Sequence, residues 1–156
     1  MYHLAIYNSK TFKRDYIDLI LSGEKAADIK ILNKRIAPFH KLSEGDIVFL
    51  KESGGGVRGS VSIKSVNNYT FDDPSKLLML MENVAKDLGM RDLNAVIPWW
   101  EKVAGKRYAT VFYFAEPYRL KKDVKIIKND RRSWVTDYIP SFEIISAFKD
   151  INIKQF

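Results

Sequence analysis

Apolar positions along the chain switch between the period of a strand and the period of a helix several times. His3 to Asn8 alternates well enough for a first strand. Phe12, Tyr16, Ile17, Leu19, Ile20 and Leu21 then recur at helical spacing, with Thr11 placed as an N-cap and Gly23 where a helix ends. This spacing predicts one helix over residues 11–22. Ala27 to Leu32 reads as extended, Pro38 interrupts the chain, and Ser43-Glu44-Gly45-Asp46 is a turn leading into a strand over 47–51. After the turn Ser53-Gly54-Gly55-Gly56 the chain returns as a strand over 57–66. Pro74, capped by Asp72 or Asp73, opens a helix that reaches Leu88 and stops at Gly89. A second helical patch covers 93–103. Tyr108 to Ala115, dense in Val, Phe, Tyr and Thr, is the clearest strand. Short strands are expected at 124–127 and 133–136. From Phe142 the pattern suits a helix to Lys149 and then a short strand.

Strands and helices do not alternate regularly, which argues against a doubly wound parallel sheet. The expectation is one α+β domain over residues 1–156: a small mixed β-barrel with helices at one side. The length of 156 residues suits one domain of ~100–200. A hydrophobic share of 46% is enough for a real core. No apolar run approaches the ~18 residues of a membrane helix, and residues 1–7 suit a strand better than a signal peptide. No membrane partner is expected.

Charge and composition narrow the chemistry. There is no cysteine, so disulfides and thiolate chemistry are excluded, and the sequence suits a reducing, cytoplasmic setting. His3 and His40 are the only histidines and are not spaced as a ligand pair, so neither a metal nor a cofactor is expected. The net charge of +7 is unevenly distributed. Residues 29–43 carry Lys30, Lys34, Arg35, His40 and Lys41 and no acid. Residues 119–132 carry seven bases against Asp123 and Asp130. Segregation of this kind points to a polyanion-binding face more strongly than the net charge does.

Several segments resemble a known family. Tyr16-Ile17-Asp18-Leu19-Ile20-Leu21-Ser22-Gly23-Glu24-Lys25 is similar to the helix and loop that open ASCH domains of the PUA-like superfamily. Lys41-Leu42-Ser43-Glu44-Gly45-Asp46-Ile47-Val48 resembles the turn before a barrel strand of that family. Lys51 to Gly59 resembles the glycine turn of one subgroup, and Asn129 to Val135 that subgroup's arginine-tryptophan strand. The resemblance covers roughly residues 3–136. It implies a PUA-like barrel of five or six strands with a cleft beside the first helix, RNA binding, and in some relatives action on modified nucleosides. The sequence also departs from the pattern. Where the family carries a threonine, an acid and an arginine after the lysine, this chain has Ala26, Asp28 and Lys30, which weakens bidentate recognition.

The candidate ligand-binding residues are Lys25, Asp28 and Lys30, with Lys51, Ser53 and Arg58 at the rim. Asp28 and Lys30 share a face of an extended strand. Together with Lys25 they suit a phosphate or a base edge; the plain alternative is a surface ion pair. As an exposed loop charge, Lys25 is expected to contribute little to stability. Lys34, Arg35, Arg131 and Arg132 are candidates for nucleic-acid backbone, with one of the last two facing the groove. Trp134 and Tyr108 are candidates for base stacking, against core packing. Adjacent Trp99 and Trp100 cannot both face inward. Ser53-Gly54-Gly55-Gly56 lacks the ending of a phosphate loop and reads first as a hairpin turn. The leading expectation is a non-catalytic reader of RNA or a modified base, with RNA or a nucleotide as its partner. The alternative is a small hydrolase of a modified nucleoside or nucleotide. Lys25 matches the lysine of the resembling acetylcytidine amidohydrolases, but Asp28 stands where their threonine nucleophile falls, and no histidine is placed to activate Ser22 or Ser53. A third reading is a protein-interaction domain using the acidic stretch from Glu82 to Asp92.

Overall fold

Two long strands set the frame. A computed structural model describes residues 1–127 and 131–149, and in it β1 (Tyr2–Tyr7), β2 (Ala27–Leu32), β3 (Ile47–Glu52), β4 (Val57–Thr70), β5 (Tyr108–Val124) and β6 (Trp134–Val135) form one sheet in the order β2-β5-β4-β3-β1-β6. β1 and β3 run parallel and every other pair is antiparallel, so the sheet is mixed. The β4–β5 register shifts between Val57 and Gly59, Ser60 and Ser62, and Ile63 and Ser65. Bulges of this kind bend and twist the bulged strand, and the sheet curls into a half-barrel.

β5 is longer than the sequence pattern suggests. Pro117 ends the alternation there, yet the strand runs on to Val124; the separate strand expected at 124–127 does not form, since residues 125–127 lie outside any strand. Ser62 pairs with Ala115 and Ser60 with Tyr118, so Glu116 and Pro117 share a bulge opposite Val61. A proline has no N–H to give a ladder, and a bulge is where that does no harm.

The predicted helix over 11–22 is two pieces, α1 (Ser9–Phe12) and α2 (Tyr16–Leu21). Lys13 is left-handed, with φ of 53°, and Asp15 caps the second piece by accepting from the Asp18 N–H at 3.0 Å. The side chain of Thr11 lies outside what is described. Gly23, with φ of 84°, ends the helical turn as expected. Between β4 and β5 the chain inserts α3 (Pro74–Val84), a 3₁₀ turn (Leu93–Ala95) and α4 (Val96–Val103). Asp73 caps α3 through the Ser75 N–H. α5 (Phe142–Ala147) follows β6; the strand expected after Lys149 lies outside the described residues. No described helix is long and apolar enough to cross a membrane.

Three apolar clusters hold these parts together. Ile17, Ile20 and Leu21 of α2 close the half-barrel interior over Val61, Phe112 and Trp134. Leu77 and Met81 of α3 and Val96 of α4 pack on Ala27, Ala109 and Val111 of the sheet. Ile144 and Phe148 cover Leu4 and Phe49 on the other side. The second cluster matters for the site, because it docks the helical insertion beside β2.

Candidate functional site

Where α2, the start of β2 and the end of the helical insertion meet, they leave a cleft of about 1150 Å³. Three hydrogen bonds fix the insertion at its edge. The Ala26 and Ala27 N–H groups donate to the Asp87 carbonyl at 2.8 and 3.0 Å, and the Tyr113 hydroxyl donates to the Asp87 carboxylate at 2.6 Å.

Lys25, Asp28 and Lys30 come together on the floor of this cleft. Asp28 Oδ2 accepts from the Tyr7 hydroxyl at 2.7 Å and lies 3.9 Å from Lys30 Nζ. Its Oδ1 accepts from the Ile29 N–H at 2.8 Å and lies 3.4 Å from Lys25 Nζ. Lys25 also donates to the Leu88 carbonyl at 3.0 Å and stands 5.3 Å from the Tyr16 ring centroid. Lys30 Nζ is 5.1 Å from the ring centroid of Tyr7.

Protonation follows from these neighbours. Burial alone would raise the Asp28 pKa, but Lys25, Lys30, the Tyr7 hydroxyl and the Ile29 N–H together hold it below the ordinary aspartate value. For Lys25 burial wins: its pKa is lowered despite Asp28, and Lys30 and Arg14 add repulsion. The difference is one of numbers, since Asp28 has two cations and two donors while Lys25 has one carboxylate. Burial, and then the Asp28 charge, push the Tyr7 phenol well above its ordinary value, so it keeps its proton and donates it to Asp28.

This geometry corrects one expectation. Lys25 is no exposed loop charge: only 5% of it is accessible, and its ammonium bridges two parts of the chain. Asp28 accepts two hydrogen bonds, from the Tyr7 hydroxyl and the Ile29 N–H, and is the shared counter-charge of the Lys25 and Lys30 ammoniums at 3.4 and 3.9 Å.

Of the other candidates, Lys51, Ser53, Arg131 and Arg132 line the cleft. Lys51 is buried and donates to the Glu52 carbonyl at 3.0 Å. Arg131 and Arg132 lie outside any strand, so both reach the cleft and the expected alternation does not apply. The glycine turn is a hairpin turn: Ser53 N–H donates to the Tyr7 carbonyl at 2.7 Å and Gly55 N–H to the Glu52 carbonyl at 2.9 Å. Those N–H groups are therefore not presented to an anion.

Five candidates lie elsewhere. Arg58 is held by Asp15 at 2.8 Å, with Glu52 Oε2 at 4.0 Å. Lys34 and Arg35 are exposed outside the cleft, and the Arg35 guanidinium stacks over Tyr108, 5.3 Å from its ring centroid. Tyr108 meets Phe39 edge-on rather than facing the cleft. Trp134 is buried, at 4% exposure; it packs on Phe112, and its indole N–H donates to His3 Nδ1 at 3.3 Å. Its stacking role is thus excluded by core packing.

The structure adds residues that the linear pattern does not single out. Arg14 donates to the Gly89 carbonyl at 3.0 Å and lines the cleft beside Tyr16. Leu88, Met90, Ala95 and Trp99 form an apolar bank contributed by the insertion. Among the described residues no group of three or more His, Asp or Glu could hold a metal ion.

The same arrangement of strands and helices occurs in solved structures. An ASCH protein from Zymomonas mobilis matches 96% of this chain with a TM-score of 0.59, over 94% of its own length and at 12% identity. Two point variants of it match 96% of this chain with TM-scores of 0.63 and 0.62, over 97% and 94% of their lengths, each at 9% identity. No family model matches the sequence, and no curated protein matches it. The chain therefore has an ASCH-like fold, an α+β PUA-like half-barrel, and at such identities the likeness is one of fold.

Proposed function

We propose that the cleft binds single-stranded nucleic acid, RNA or a strand carrying a modified base, as a non-catalytic reader. One observation carries this reading. Among the described residues, Arg14, Lys25, Lys30, Lys51, Lys125, Arg131 and Arg132 line the cleft, and Asp28 is its one carboxylate. Low-dielectric walls focus a field of that sign and favour a polyanion. Lys25 and Arg14 hold the insertion in place, and phosphates would meet Lys30, Lys125, Arg131 and Arg132, which also line the cleft. A concave site with an apolar bank suits a single strand, whose bases are free, better than a duplex.

Salt titration tests the reading. Three or four phosphate contacts give a log–log salt slope of roughly −2 to −3 for a single strand, which is a ~20–50-fold loss of affinity between ~50 and ~200 mM salt. Arg131→Ala reduces the slope by about 0.7 and weakens all oligonucleotides by a similar factor. Salt-insensitive binding, or no binding at low salt, overturns the reading.

The alternative, hydrolysis of a modified nucleoside, draws on the contact of Lys25 and the Tyr7 hydroxyl with Asp28. That hydroxyl is a poor nucleophile, because burial and the Asp28 charge raise its pKa and it keeps its proton. Release of acetate from acetylated cytidine, abolished by Lys30→Ala in a folded variant, would establish the alternative in place of the reader.

A further inference from the structure

The cleft has two unlike banks, and only the cationic one is explained by phosphates. The apolar bank comes from the helical insertion. Ala95 and Trp99 are one helical turn apart and both line the cleft, beside Leu88 and Met90. Trp99 is half-buried: part of it packs against the cluster of Leu77, Met81 and Val96, and part borders the cleft. Its indole N–H has no acceptor among the described residues, whereas neighbouring Trp100 donates to the Pro74 carbonyl at 2.9 Å. That N–H is not buried, so it stays open to solvent and to a ligand in the cleft.

The other aromatic rings are taken. Tyr16 lies under Lys25 and Arg14, with centroid distances of 5.3 and 6.0 Å. Tyr7 lies under Lys30 and donates to Asp28. Trp134 is in the core, and Tyr108 is outside the cleft under Arg35. Among the described residues, Trp99 is the aromatic ring of the cleft with no cation on it and no polar partner.

We infer that Trp99 is the base-stacking platform of this cleft and that its ligand is a strand of nucleotides presenting an unstacked base, with phosphates on the opposite bank. The inference rests on the nucleic-acid reading and deepens it. The volume agrees. A cleft of about 1150 Å³ exceeds the ~300–1,000 Å³ typical of small-molecule pockets, so there is room for a base and its flanking phosphates. Stacking is tolerant of base identity, because every base has a π-face. Trp99 therefore distinguishes nucleotides from other polyanions rather than one base from another.

The test compares two probes of equal phosphate number, a single-stranded decanucleotide and its abasic analogue, on the wild type and on Trp99→Ala. The variant is expected to bind the base-bearing strand roughly 5- to 100-fold more weakly and the abasic strand unchanged. Trp99→Phe keeps a ring and is expected to lose only a few-fold. Equal losses for both strands, or no loss for either, overturn the stacking role while the cleft reading survives. If the wild type binds neither strand, the reading itself fails and the inference falls with it. Should Trp99→Ala not fold, fluorescence decides: strand-induced quenching retained in Trp100→Phe and lost in Trp99→Phe supports the platform, and the reverse pattern refutes it.

Discussion

Asp28→Asn is expected to destabilise the protein by about 3–5 kcal/mol, which at ~2–4 °C per kcal/mol corresponds to a fall in melting temperature of ~6–20 °C. The amide preserves the shape, and its one oxygen can keep the Ile29 N–H while its NH2 donates to the Tyr7 hydroxyl, which gives up its own donation there. What it removes is the counter-charge of Lys25, leaving an ammonium that is 5% exposed with one carbonyl for company. Removing one partner of a buried pair costs more than the pair contributed, because the survivor stays desolvated. The double variant Asp28→Asn, Lys25→Met removes the stranded charge and should recover much of the loss. If it melts no higher than the single variant, the buried ammonium is not the cause. The pH dependence has a definite sign. Asp28 has a lowered pKa in the fold, so its contribution is fully present above the unfolded value of ~3.9 and is lost as pH falls through the lower folded value. The gap between wild type and Asp28→Asn should therefore shrink in acid, as measured by thermal melts from neutral pH downward.

Local structure was legible in the chain because it is set by neighbours in sequence. The β2 pattern, the Pro74 start of α3 and the Gly23 end all follow from residues within a few positions, whereas α3 stops at Val84 and the chain reaches Gly89 through a turn rather than as helix. The errors have long-range causes. The helical spacing from Phe12 to Leu21 is continuous, yet the helix breaks where Asp15 both caps α2 and binds Arg58, 43 positions away. Pro117 hid the length of β5 because its bulge exists only opposite Val61. The site shows the same division. Lys25, Asp28 and Lys30 lie within six positions and could be grouped by eye. The burial of Lys25 depends on the Leu88 carbonyl, 63 positions away, and the withdrawal of Trp134 on His3, 131 positions away. Trp99 could be narrowed only to one of two adjacent tryptophans, since the choice was made by the Pro74 carbonyl that takes Trp100.

Gly59→Ala is expected to cost about 1–3 kcal/mol or more through overpacking, a larger effect than at Gly54 in the nearby turn. Gly59 lies where β4 bends against β5, under α2. A Cβ there would be 2.8 Å from one Leu21 methyl and 2.9 Å from the other, and closer still to the Tyr118 carbonyl oxygen. Leu21 could change rotamer, but a main-chain carbonyl at a strand bulge has little freedom to retreat. Leu21 is the last residue of α2, and the turn after it delivers Lys25 to Asp28 and the Leu88 carbonyl. Relief of the clash by lifting α2 therefore displaces the cleft floor, and oligonucleotide affinity should fall together with the melting temperature. At Gly54, by contrast, a Cβ would meet nothing within 4 Å, and the obstacle is only the backbone φ of 73°. Gly54→Ala should thus lower the melting temperature by the smaller amount of a strained turn, about 1 kcal/mol, and leave the cleft floor in place. Paired melting and binding curves for the two variants separate the cases. If Gly59→Ala melts like Gly54→Ala and binds like wild type, α2 is not seated on this glycine and the position of Lys25 is fixed by other contacts.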